Sequence, residues 1–426
     1  ALIVRFAPAA ARQASMQGAH REAAAYYGTA LRHAASLASE ARAELLEALS
    51  YEYYLVGQME DALQPRAAAL AIWRALERYE KVGHTLRQMS RLTWFLGRVD
   101  EAERYAVEAV ELLETLAPTR ELALAYGNMS HLRLLRSETT ETLRWGERAI
   151  ALGESLGDHE SVSYALNNIG SAELYDGSED GWAKLERSLH IACEYAFEEH
   201  VARAYGNLAE SRICRRDYLA ASDYLRAGMT YCAERDLGGW EHCLRGQRAR
   251  ARLDHGDWDG AAQDATAILA TPLASGTNRV PAMIVLGQVR VRRGDPGAEA
   301  LLDEALSIAL PTHEMERIVP IAVARAEWRW LQGQRAQCLA EAEVGMREAL
   351  KHHERWLLGM AAFWVWRGGG LMEAPQGISA PFALQIAGDW RAAAETWEGI
   401  GCPYEQAQAL VDGDEAAQRQ ALALFE

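Results

Sequence analysis

The sequence predicts an all-α chain: a right-handed superhelical solenoid of about nine or ten helical hairpins with a period of about 40 residues. Three observations predict it. Turn-marking residues recur at Gly18, Gly57, Gly97, Ser137, Gly177, Arg216, Gly256, Gly294, Gly333 and Gly388, spaced by 39, 40, 40, 40, 39, 40, 38, 39 and 55 residues. Alanine stands five residues past many of these turns, at Ala23, Ala62, Ala102, Ala261 and Ala393. Alanine is also abundant overall and β-branched residues are sparse, which favours helix.

The elements follow in order along each repeat. Before a turn runs an amphipathic helix, as in "ELALAYGNMSHLRLL", where Leu122, Ala125, Tyr126, Met129 and Leu132 recur at helical spacing. After it comes an acidic or polar residue, as in "GDWDGAAQDA" and "GDWRAAAETW", suited to cap a second helix and meet its dipole. The alanine five residues on marks where the two helices approach closely. Each unit is therefore helix A, turn, helix B. Two stretches break the period. "TPLASGTNRVP", Thr271–Pro281, reads as a loop, and "RGGGLMEAPQGISAP", Arg367–Pro381, cannot be helix interior. Beyond it, Ile400–Gly401 closes one helix and Pro403 opens the next. The expected organisation is an array over 1–350 and an irregular helical segment, 351–426, continuing it.

The turn glycine, the alanine five on, a bulky residue four further and a following Ala-Leu resemble the second-helix signature of tetratricopeptide repeats. Gly18, Ala23, Tyr27, Ala30 and Leu31 match fully; the units at Ser137 (Thr142, Ala149), Arg216 (Ala221, Leu225) and Gly294 (Ala305, Leu306) match with substitutions or slips. A HEAT-like array also fits the period but not this spacing. The period exceeds the usual 34. Both ends, "APAAARQASMQGAHREAAAYYGTALRHA" and the segment from "WVWRGGG" to "QALALFE", resemble the repeat arm of large ATP-binding transcription regulators of the LuxR type. That resemblance implies a middle portion, between a switch ATPase and a helix-turn-helix. The start at Ala1 and the stop at Glu426 inside a helical pattern agree with a fragment.

Composition narrows the function. The formal net charge of −16 argues against gripping a nucleic-acid backbone, and lysine occurs only at 81, 184 and 351, with no Gly-Lys pair for a phosphate loop. Six scattered cysteines form no CxxC and read as reduced, mostly buried thiols of a cytoplasmic protein. No apolar run is long enough for a bilayer. The histidines and cysteines show no metal-ligand spacing, and no nucleophile motif occurs, so no catalytic residue, metal or cofactor is expected. The C-terminal tryptophans, Trp328 to Trp397, read as packing between helices.

One further pattern concerns binding. About nine residues before the turn, helix A carries an amide at Gln88, Asn128, Asn168, Asn207 and Gln247, with Arg91, His131, Ser171, Glu210 and Arg250 three residues on. In stacked repeats these align as a polar ladder. Helix A resembles the element lining the concave groove of tetratricopeptide arrays, which implies that the ladder meets a protein, a peptide or a small-molecule inducer. The alternative is that the amides bridge neighbouring repeats. The expectation is a non-catalytic sensing and assembly arm of a transcription regulator, contacting other domains or protomers; the other reading is a free-standing scaffold that docks peptides or proteins without a DNA-linked role.

Overall fold

A computed structural model describes residues 2–271, 276–352 and 354–425. Among them are 23 α-helices and no strand. Nine consecutive hairpins come first: α1 (Leu2–Met16) with α2 (His20–Arg32), α3 (Ser39–Leu55) with α4 (Met59–Ala75), α5 (Tyr79–Phe95) with α6 (Val99–Glu114), α7 (Arg120–Leu135) with α8 (Thr139–Leu156), and α9 (His159–Tyr175) with α10 (Asp180–Glu194). The remaining four are α11 (Glu198–Cys214) with α12 (Tyr218–Ala233), α13 (Gly238–Asp254) with α14 (Trp258–Leu269), α15 (Gly276–Arg293) with α16 (Ala298–Ala309), and α17 (Met315–Leu331) with α18 (Arg335–Ala349). The tail holds α19 (Arg355–Gly368), α20 (Ala380–Ile386), α21 (Trp390–Ile400), α22 (Pro403–Leu410) and α23 (Glu415–Phe425).

The ten periodic turn residues share one backbone solution. All have positive φ, including the two that are not glycine, Ser137 (φ 55°) and Arg216 (φ 62°). The next residue's N–H bonds back to the carbonyl five residues earlier: Gln58 to Tyr53 (2.8 Å), Glu138 to Arg133 (3.0 Å), Asp217 to Arg212 (2.9 Å). This is the Schellman closure, which satisfies carbonyls that helix A leaves open. Asp257 and Asp389 then cap helix B, accepting from Gly260 N and Ala392 N. The seam alanines Ala23, Ala62, Ala102, Ala261 and Ala393 are completely buried.

Expectation and structure part at Thr271–Pro281. Residues 272–275 lie outside the described set, but Gly276–Pro281 are the first turns of α15, not loop. Pro281 falls at the sixth residue of its helix, as Pro320 does in α17, and Pro8 and Pro65 at the seventh of theirs. Val280, Ala282 and Met283 are fully buried around Pro281, and this packing outweighs the one backbone bond that proline removes. The break at 369–379 and the Gly401–Pro403 boundary fall where expected. Of the cysteines, Cys232, Cys338 and Cys402 are buried, Cys214 and Cys243 half-buried and Cys193 exposed.

Regular hairpins end at Ala349, yet compactness does not divide the chain at 350. One unit comprises Ala1–Ser211, Asp223–Leu244 and Thr271–Asn278; the other comprises Arg212–Ser222, Arg245–Ala270 and Arg279–Glu426. The first unit coils until distant hairpins touch. Buried His20 sits 2.7 Å from Glu52 and 3.1 Å from Glu198. The turn at Gly57 lies so close to Gly238 and Gly239 that a Cβ on Gly238 would stand 2.8 Å from the Val56 carbonyl. Thr277 donates to the Phe95 carbonyl at 2.8 Å. The second unit has an aromatic core in its tail, where fully buried Trp397 meets Phe382 and Trp356 with centroids 5.0 and 6.0 Å apart. Its polar core joins Arg292 to Glu327 (3.0 Å) and Glu405 (3.4 Å).

Two outcomes follow from these contacts. Ala102→Leu overpacks a seam with no free space and should cost about 1–3 kcal/mol in urea melts; unchanged melts would show that the seam near Gly97 is loose. The second concerns His20. Burial works against its charged form, but the hydrogen bonds to Glu198 and Glu52 and the two carboxylate charges outweigh it and raise its pKa from 6.5 to about 9. The folded state holds the proton more tightly, so this stabilisation is complete below pH 6.5 and is lost as pH rises through about 9. The Tm advantage of the parent over His20→Asn should shrink across that window; a constant gap would remove the imidazolium from the closure.

Candidate functional site

Inside the first unit, the helices A of hairpins two to six turn their inner faces toward one another. At the centre lies the Glu199 carboxylate on α11. One of its oxygens accepts from the Tyr54 hydroxyl (2.9 Å, α3), from Arg203 (2.8 Å, α11) and from Arg91 on α5. Arg91 also donates to the Tyr164 hydroxyl (2.9 Å, α9), and the Arg91 and Arg203 guanidiniums lie over the Tyr164 ring at 5.5 and 4.5 Å. Burial favours the neutral acid, but the two arginines outweigh it and hold Glu199 well below the usual carboxylate range. The same arginines reinforce burial in pushing His131 far below its ordinary value, so its ring is neutral.

Beside this cluster is a chamber of about 340 Å³. α3 gives it Glu47 and Tyr51; α4 gives Arg66; α5 gives His84, Arg87, Gln88 and Arg91. α7 contributes Arg120 and Glu121, α9 Glu160 and Tyr164, and α11 Glu199 and His200. The acids have partners. Glu47 accepts from Thr85 at 2.7 Å, Glu121 lies 2.7 Å from His84 Nδ1, and Glu160 meets Arg120 and, at 3.4 Å, His200. Burial acts to raise the Glu121 carboxyl, yet His84, Arg87 and Arg120 bring it down to about 2. Burial pushes the Arg66 guanidinium down to about 10 against the attraction of Glu47. The chamber is thus lined with ionised groups of both signs.

The sequence-derived ladder divides. Gln88 and Arg91 line the chamber. Asn128 and Asn168 are buried, and their amides bridge adjacent repeats: Asn128 donates to Ser90 Oγ (3.0 Å) and Asn168 to the Gly127 carbonyl (2.9 Å). Half-buried Asn207 donates to Asn167 Oδ1 (2.5 Å). The expectation that these three amides face an open groove is corrected: the coil is tight enough to press neighbouring helices A together at that level. His131 and Glu210 are half-buried, and Ser171 bonds the Asn167 carbonyl within its own helix. Gln247 and Arg250 belong to the second unit, where Arg250 pairs with Asp254 at 3.0 Å. The chamber residues that the ladder missed lie one and two turns earlier on the same helices. Their signal is the same period: His84, Leu124 and Tyr164 at one level, Arg120 and Glu160 at the next.

The second unit carries an aromatic cleft of about 520 Å³ lined by Trp258, Tyr404 and Phe425. Arg292 already covers Tyr404, its Cζ 3.8 Å from the ring centroid. Among the described residues no group of three or more His, Cys, Asp or Glu could hold a metal ion, and no helix is long and apolar enough to cross a membrane.

No family model and no curated relative matches this chain. Solved structures do. A Rap protein complexed with competence and sporulation factor matches with TM-score 0.51 at 11% identity, over 77% of this chain and 96% of that one. Yeast Tom70 gives 0.39 at 14%, over 99% and 90%. A signal transduction ATPase with numerous domains, bearing a tetratricopeptide repeat sensor, from Pyrococcus horikoshii gives 0.39 at 16%, over 72% and 51%. At such identities the likeness concerns the fold alone, and the fold is a tetratricopeptide-like array of helical hairpins.

The bridging geometry fixes an outcome for the amides. Replacing Asn128, Asn168 and Asn207 together by Ala strands their partners, at about 1–3 kcal/mol for each buried group left unsatisfied. Thermal melts should show a large fall in Tm; a near-parental Tm would return the amides to solvent.

Proposed function

We propose that the chain is a non-catalytic recognition module, the ligand-sensing and assembly arm of a cytoplasmic bacterial transcription regulator, with the first-unit chamber as its ligand site. The observation that carries this reading is the convergence of charged side chains from five successive hairpins on one cavity of about 340 Å³. A solenoid stabilised only by stacking needs no such chamber, since each repeat's apolar core lies between its own helices and those of its neighbours. A ligand there bonds hairpins far apart in sequence and so favours the coiled arrangement that His20, Glu52 and Glu198 close. That is a differential affinity of the kind that shifts a conformational equilibrium. The link to transcription rests on the resemblance of the two ends to LuxR-type regulators.

The second reading is a free-standing scaffold that docks peptides or proteins. It is favoured by the fold likeness to the Rap protein, whose structure holds competence and sporulation factor. The gene on either side of Ala1 and Glu426 separates the two: a phosphate loop upstream and a helix-turn-helix downstream support the regulator, and a start and a stop codon support the scaffold.

The chamber itself is tested by thermal melting with a panel of short peptides and polar metabolites on the parent and on Gln88→Trp, which fills the cavity. A chamber ligand at a hundred times its Kd should stabilise the parent by about 2.7 kcal/mol and leave the folded Gln88→Trp variant unmoved. A panel in which every hit stabilises both equally would sink the assignment.

A further inference from the structure

Arg87 is a buried guanidinium whose bonds the fold does not supply. It is 6% exposed and lines the chamber from α5. Its one contact within hydrogen-bond distance is Nη2 to His84 Nδ1, at 3.5 Å. That nitrogen stands 2.7 Å from Glu121 Oε2, so it carries the proton it gives to the carboxylate and has no lone pair to offer. Glu121 is 3.8 Å from Arg87, an ion pair beyond hydrogen-bond reach. Arg87 Nε is buried without any partner. The other inward arginines differ: Arg91 and Arg203 bond Glu199, and Arg66 bonds Ser50 Oγ and the Glu47 carbonyl.

A buried donor without an acceptor is costly and uncommon, and each instance calls for a cause. Here the unmade donors gather on one cavity. Arg66 Nη1 and His200 Nδ1 are also buried and unbonded, and both residues line the chamber. Arg87 and Arg66 are near enough for the charge of one to depress the pKa of the other. The chamber's carboxylates, by contrast, are already engaged. What the chamber lacks is acceptors. A cation would meet no free carboxylate, and an apolar ligand would leave the guanidiniums as they are.

We propose that Arg87, with Arg66 beside it, receives the oxyanion of a small polar ligand, a carboxylate or a phosphate. The planar guanidinium fork matches two oxygens of either group, and the cavity volume restricts the rest of the molecule to a small metabolite or the end of a peptide. This inference rests on the chamber being the ligand site.

The test is titration calorimetry and thermal melting of the full 426-residue chain, with inorganic phosphate and succinate as separate arms and sodium chloride at matched ionic strength as reference. At least one oxyanion should bind and raise Tm beyond chloride, and the arm that responds identifies the group. Arg87→Gln should weaken that binding about tenfold or more, while the free variant melts no lower than the parent, because no strong native bond is lost. Arg87→Lys keeps the charge without the fork and should fall between. Arg144→Gln, whose partner is Glu141 on the surface, should bind as the parent does. Oxyanion binding unchanged in Arg87→Gln overturns the proposal, as does a destabilised free Arg87→Gln whose lost binding Arg87→Lys does not partly restore. If neither oxyanion acts while neutral compounds still stabilise the parent and not Gln88→Trp, the oxyanion inference falls and the chamber remains. If Gln88→Trp blocks nothing, the chamber falls.

Discussion

Everything in this chain is hung on one left-handed residue per hairpin. Ten times, the residue after helix A takes positive φ, and its successor's N–H reaches back to a carbonyl five residues earlier. This closure sets the angle at which helix B leaves, and hence which faces meet at the seam. Where glycine is absent, at Ser137 and Arg216, the backbone accepts the left-handed region at about 1–2 kcal/mol rather than surrender the geometry. Arg216 gains in return, since its guanidinium bonds the Tyr218 hydroxyl at 2.7 Å and pairs with Asp254 at 2.5 Å. The completely buried alanines follow from the turn: once the helices cross there, a methyl is what fits.

Repeating one hairpin geometry makes the first unit coil, and coiling sends the inner faces of five helices A toward a shared interior. Such an interior could be apolar; in this unit it is charged. Buried ion pairs rarely stabilise more than apolar packing of the same volume, because the desolvation of both partners offsets their attraction. The cluster around Glu199 is therefore poorly explained as a stability device. It orients side chains: Tyr54, Arg91, Tyr164 and Arg203 come from three different hairpins besides that of Glu199 itself, and each is fixed by at least one bond or ring contact. A wall so fixed presents the adjoining chamber with donors in set directions, the arrangement that recognition of a polar molecule requires.

What could be read from the sequence was what depends on neighbours in the chain. The left-handed turns, the alanine seam, the Asp257 and Asp389 caps and the glycine break after α19 each follow from a few consecutive residues. The direction in which helix A looks does not. The forty-residue period located Asn128, Asn168 and Asn207 correctly as a set, yet whether that level is open or pressed shut depends on how tightly the unit coils. Tightness is set by contacts between residues about 180 apart: His20 with Glu198, Gly57 with Gly239, Phe95 with Thr277. No local pattern announces them. Pro281 misled for the same reason, because the buried surroundings that keep α15 helical lie elsewhere in the fold.

The amides and the chamber now read as two levels of one surface. At the amide level, neighbouring helices A touch and the polar groups satisfy one another across the repeats. One and two turns earlier the same helices diverge, and His84, Arg87, Arg120, Glu160 and His200 border a space instead of a neighbour. The stack is thus held firm directly beneath the cavity, which limits how far the cavity walls can relax when it is empty. Because those walls belong to hairpins two through six, while the coil is closed between hairpins one and six by His20, Glu52 and Glu198, occupancy and closure share the same set of helices. A molecule that binds the coiled form better than the opened one must strengthen the His20 contact by the factor by which that contact strengthens its own binding; couplings of about 1–3 kcal/mol correspond to roughly 5–150-fold. In this unit the reciprocity needs no relay, since α3 and α11 each carry both a residue of the closure and residues of the chamber wall.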